Sequence, residues 1–83
     1  MSQNLTRHIH DALVEALQIR ADQIHDGLAM GVIPEWDSIA HVNLMFALET
    51  RLDIRIPVEQ IPELISYRAI QDYLTALTTE ATV

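Results

Sequence analysis

An all-α fold is predicted for this chain from three observations. Apolar residues recur at helical spacing in three separate stretches, no two runs pair convincingly as strands, and Pro57 and Pro62 interrupt the region before the last stretch. Together they predict a bundle of four helices, the third short, with a long loop between the first two. The 83 residues allow a single domain, 1–83. Without cysteine, that domain must rely on packing between helices and has no disulfide or thiolate metal site to reinforce it.

In the first stretch Ile9, Ala12, Leu13, Ala16 and Leu17 form one stripe, with Arg7, His10, Asp11, Glu15 and Gln18 mostly between them. A helix over about Asn4 to Gln18 follows, capped by Asn4 or Thr6. The periodicity then fails from Ile19 to Trp36, where Asp22, Asp26, Gly27, Gly31 and Pro34 occur. This span reads as a loop. Its scattered Ile24, Leu28, Met30 and Ile33 predict that it packs on the core, since structureless loops of this length are uncommon unless functional.

The second helix is expected over Ser38 to Leu52, with Asp37 capping its first turn, Trp36 stapling against it and Asp53 beginning the exit. Ile54-Arg55-Ile56 is too short to form a sheet without a second strand and reads as an extended connector. Pro57 suits the first position of a helix, so Val58 to Leu64 is a short third helix or an irregular turn, kept short by Pro62. Ser66 caps a last helix from about Tyr67 to Leu77, whose stripe is Ile70, Tyr73, Leu74 and Leu77. The tail from Thr78 to Val83 is expected to fray.

Twelve acidic residues against five arginines and no lysine give a net charge of −7. A chain so charged repels nucleic acid and anionic membranes, and suits partners with basic surfaces. The first seventeen residues mix charge with apolar groups and do not form a secretory signal, and no apolar stretch approaches a membrane span. Cytoplasmic residence and a monomeric state are the expectations.

At about 100° per residue the second helix carries two apolar stripes. Leu44, Met45, Leu48 and Leu52 share one side with His41, while Ile39, Val42 and Phe46 fall nearly opposite. The second stripe must meet another helix, the long loop through Ile24, Leu28 or Ile33, or a partner. Ser38 opens this helix, where unpaired amides and the helix dipole favour a negatively charged substituent.

Trp36-Asp37-Ser38-Ile39, followed by Val42, Leu44, Leu48-Glu49 and Ile54 in a short acidic chain, resembles the acyl or peptidyl carrier protein family of discrete carriers. The resemblance covers almost the whole chain, including the order of long, long, short and long helices. It implies a carrier bundle in which Ser38 receives a 4′-phosphopantetheine arm from coenzyme A. The arm's thiol would hold an acyl or aminoacyl group as a thioester for a fatty acid, polyketide, nonribosomal peptide or related pathway. Such a protein is not an enzyme but a substrate of others: a phosphopantetheinyl transferase, and acyl-loading, acyl-transfer or condensing enzymes. Recognition by these partners is assigned to Asp37, Ile39, Val42 and Phe46, with Trp36 and Glu49 beside them.

The chain departs from the family in places. Glu35 stands where a glycine is frequent, and Ala40, Asn43 and Thr50 replace residues that are often acidic in fatty acid carriers. The departures imply partners that read the apolar stripe.

Other chemistries have less support. Ser38 and His41 are three apart and within reach of one another, yet no glycine elbow surrounds the serine. His8 and His10 point about 200° apart on a helix and cannot share a metal, and no metal site is expected. The alternative class is a small acidic helical module that binds proteins through Ile39, Val42 and Phe46 and carries no prosthetic group.

Overall fold

The computed structural model describes the backbone of residues 2–81 and the side chains of residues 4–77. It contains three α-helices, α1 (Ser2–Leu17), α2 (Ser38–Leu52) and α3 (Tyr67–Ala81), and two 3-10 segments, Ala21–Gln23 and Val58–Glu63. No strand occurs among the described residues, and the backbone pairs outside the helices only at isolated bridges.

Leu5, Ile9, Ala12, Leu13 and Leu17 line the buried side of α1. The helix begins at Ser2, so Asn4 and Thr6 lie inside it and neither can cap it, because a capping residue needs non-helical backbone. The Thr6 hydroxyl instead accepts the Gln71 side-chain amide at 3.0 Å, tying α1 to α3. The helix stops at Leu17, and Gln18 turns the chain with a φ of 57°.

The loop after Gln18 is folded onto the bundle. Leu28 and Trp36 are fully buried within it and Ile24 and Ile33 pack partly against the core, but Met30, about a third exposed, is not among the residues packed there, contrary to its expected place. Backbone bonds hold the loop to the connector before α3: Met30 N–H donates to the Ile65 carbonyl at 2.8 Å, and Tyr67 N–H donates to the Leu28 carbonyl at 2.9 Å.

α2 has the expected boundaries. Asp37 Oδ1 accepts the Ala40 amide at 2.9 Å, an N-cap, and Asp53 leaves the helix in the left-handed region at φ 54°. The following connector buries Ile56.

The third segment is a 3-10 helix rather than an α-helix. Pro57 precedes it as the capping residue, and does not occupy its first position. Pro62 within it has no N–H to offer an i−4 bond, which favours the tighter, shorter form. Ser66 Oγ then accepts the Ala69 amide at 3.0 Å and caps α3.

α3 runs past the expected end at Leu77 to Ala81, since no glycine or proline stops it. Residues 78–81 are therefore helical in backbone, and the last two residues of the tail expected to fray lie outside the described residues.

α1 packs chiefly on α2 and less extensively on α3. Leu44 and Leu48 of α2, and Ile70 and Leu74 of α3, meet Ile9 and Leu13 of α1 in one core. Arg51 reaches from α2 to Glu15 at 3.1 Å and to Asp11 at 3.9 Å on α1. Across the other seam, His10 Nε2 lies 2.7 Å from the Tyr67 hydroxyl. Burial, reinforced by the Asp26 carboxylate, pushes the Tyr67 hydroxyl above its ordinary pKa.

Candidate functional site

The start of α2 brings the sequence-derived candidates together. Ser38 is the first helical residue, its side chain is exposed, and its hydroxyl has no hydrogen-bond partner among the described residues. Asp37 caps Ala40, while the Asp37 carbonyl accepts the His41 amide at 2.9 Å. The amides of Ser38 and Ile39 have no such acceptor among the described residues, so two N–H groups at the positive end of the helix dipole face solvent beside the serine.

The two stripes on α2 are separated as their angular spacing requires. Ala40, His41, Leu44, Met45 and Leu48 are buried, whereas Ile39 is 75% exposed, Val42 44% and Phe46 62%. The loop does not cover this second stripe, because Leu28 enters the core and Ile24 and Ile33 pack against it. Val58 of the 3-10 segment is also exposed, and an open groove of about 530 Å³ runs between it and α2. Val42, Met45, Phe46, Ile56, Val58 and Ile61 line the groove. A second open groove, about 580 Å³, lies on the α1 side of α2 and has Phe46 at its border with Asn43 and Thr50. Phe46 thus stands on the ridge between two recesses.

Two of the residues assigned to recognition have internal roles. Trp36 is 1% exposed, which removes it from any contact surface and makes it the anchor of the loop. Glu49 Oε2 accepts the Ile56 amide at 2.6 Å, so its carboxylate holds the chain leaving α2. Asp37, Ile39, Val42 and Phe46 remain at the surface.

His41 is buried and does not contact Ser38. The Trp36 indole N–H donates to its Nδ1 at 3.1 Å, and its Nε2 lies 2.7 Å from the Ile61 carbonyl. An indole nitrogen can only donate, so Nδ1 must accept, and the ring proton resides on Nε2, which donates to Ile61. Both nitrogens are committed, leaving none to take a proton from Ser38. This geometry removes the Ser38–His41 pair as a nucleophile and its base.

The helical spacing puts His41 on the buried side, but its partners have no sequence signature, one being a main-chain carbonyl. Among the described residues no cluster of three or more histidine, aspartate, glutamate or cysteine side chains is placed to hold a metal ion. Among the described residues no helix is long and apolar enough to cross a membrane. Compared with family models, curated proteins and solved structures, the chain matches none.

Proposed function

We propose that the protein is a discrete acyl or aminoacyl carrier whose Ser38 bears a 4′-phosphopantetheine arm. One observation carries the reading: a serine at the first position of α2 has an exposed, unpartnered hydroxyl immediately after the capping Asp37. The Trp36-Asp37-Ser38-Ile39 resemblance and the order of two long helices, a short one and a long one are consistent with the four-helix carrier bundle. In this reading the arm is joined through a phosphodiester to Ser38 Oγ. The negative charge would then lie near the unpaired first-turn amides, an arrangement worth about 0.3–1 kcal/mol at an exposed helix start. The arm's thiol holds the cargo as a thioester. Chemistry on that cargo belongs to partner enzymes, which approach over Ile39, Val42 and Phe46.

The test is an intact-mass measurement after incubation with coenzyme A and a phosphopantetheinyl transferase of broad specificity. Addition of one arm to the wild type and none to Ser38→Ala, with helical content unchanged, is the expected result. An unmodified wild type would leave the exposed stripe as the binding face of a module without a prosthetic group.

A further inference from the structure

We propose that His41 is a proton-sensitive latch that positions the Trp36 loop and the Val58–Glu63 segment against α2. The three parts meet at one ring. Trp36 closes the loop leading into Ser38, His41 sits on the buried side of α2, and Ile61 lies in the 3-10 segment bordering the groove beside Val42 and Phe46. The ring is only 4% exposed, and the indole lies tilted beside it at a centroid distance of 6.0 Å.

The neutral ring fits this place in one tautomer only. A protonated imidazole has N–H groups on both nitrogens and no acceptor. Its Nδ1–H would face the Trp36 indole N–H across the present 3.1 Å separation, turning a hydrogen bond into the opposition of two donors. The Ile61 carbonyl is still a suitable acceptor for Nε2–H, so the conflict falls on the loop side first. Relieving it requires the ring to turn, which breaks the Ile61 bond, or the indole to withdraw, which frees the loop.

No carboxylate is placed to compensate. The charged or titratable groups on the elements that meet at the ring are Arg20, Asp22, His25, Asp26 and Glu35 in the loop, Asp37 at the start of α2, Glu49 and Arg51 farther along it with Asp53 at its end, and Arg55, Glu59 and Glu63 in or next to the 3-10 segment. None bonds to the imidazole: Asp37 caps Ala40, Glu49 holds Ile56, and Arg51 reaches Asp11 and Glu15. The latch would open when acidification adds a proton to the ring, because the protonated form has no acceptor left for the indole. Either movement releases one of the two parts that the ring joins to α2, whether or not Ser38 carries an arm.

Trp36 is the only tryptophan, so one indole signal reports the site. The experiment is a pH titration by nuclear magnetic resonance of the whole protein, from pH 8 to 5. It follows the His41 ring nitrogens, the Trp36 indole proton, and hydrogen exchange at the Gln60 and Leu64 amides. At pH 8 the ring shifts should report the Nε2–H tautomer. As His41 protonates, the indole proton should shift and lose protection; protection factors at Gln60 and Leu64, taken relative to the intrinsic exchange rate at each pH, should fall if the ring turns from Ile61 and hold if the indole withdraws, while Leu13 in α1 and Ile70 in α3 stay protected. His41→Gln should abolish the step and His25→Gln should retain it; if His41→Gln does not fold, the wild-type titration decides alone. Protonation of His41 with an unmoved indole proton overturns the proposal. So does a ring that stays neutral until every helix is lost together.

Discussion

The Glu49 carboxylate accepts the amide of Ile56 at 2.6 Å, and the same residue's carbonyl accepts the Ile54 amide at 3.2 Å. One residue in the last turns of α2 therefore fastens the chain twice as it leaves through the left-handed Asp53. Ile56 is buried, and removing the carboxylate takes away the acceptor of its N–H.

Glu49→Ala is expected to cost about 1–3 kcal/mol, the penalty for leaving a buried donor unpaired. Glu49→Gln keeps an oxygen in place and should cost less than the alanine variant. Urea midpoints with unchanged slopes would measure both. Equal losses in the two variants would show that the carboxylate's charge, and not an acceptor at that position, holds the connector.

Phe46→Ala should leave the free protein's stability within about 0.5 kcal/mol, as for exposed substitutions away from special features. Under the carrier reading it should raise the KM of the acyl-loading enzyme. Burying such a side chain in an interface is worth about 1.5–3 kcal/mol before association costs, and about 1.4 kcal/mol corresponds to a tenfold effect. The comparison is with Glu49→Gln, both variants first checked to be folded and fully loaded with the arm. A neutral Phe46→Ala would remove the apolar stripe from docking, whereas a defect in Glu49→Gln alone would trace to its hold on Ile56, which lines the groove.

Tyr67 supplies a pH dependence of known sign. Its hydroxyl pKa is raised first by burial and then by the Asp26 carboxylate, so the folded protein holds this proton more tightly than the unfolded chain. The resulting stability is whole below the unfolded value of about 10 and is lost as pH rises through the raised folded value. Tyr67→Phe should remove that alkaline component. At neutral pH it should also cost about 0.5–1.5 kcal/mol, because the contact with His10 disappears. Thermal unfolding of both proteins between neutral pH and pH 11 is the measurement, and an unchanged alkaline slope in the variant would refute the assignment.

What the sequence disclosed and what it hid divide along the range of the interactions. α2 was legible to the residue because both its ends are set locally, by Asp37 reaching three residues forward and by Asp53 taking a conformation available to aspartate. The exposure of Ile39, Val42 and Phe46 followed from angular spacing alone. The His10–Tyr67 contact joins residues 57 apart, and no local pattern announces it. Trp36, Glu49 and His41 were visible as residues, yet what they do depends on main-chain groups or rings brought close by the loop. The end of α3 was not legible, because threonines in its last turns weaken a helix without terminating it.

The bare stripe on α2 also bears on how copies of this protein behave toward each other. Two such faces would bury apolar surface if they met, and nothing in their shape forbids it. What opposes the meeting is the net charge of −7 carried by every copy. That repulsion acts over about 10 Å at 0.1 M salt and shrinks to about 3 Å at 1 M. A basic partner meets no such barrier and gains from the same field, so the charge that keeps like from like also selects which surfaces reach the stripe.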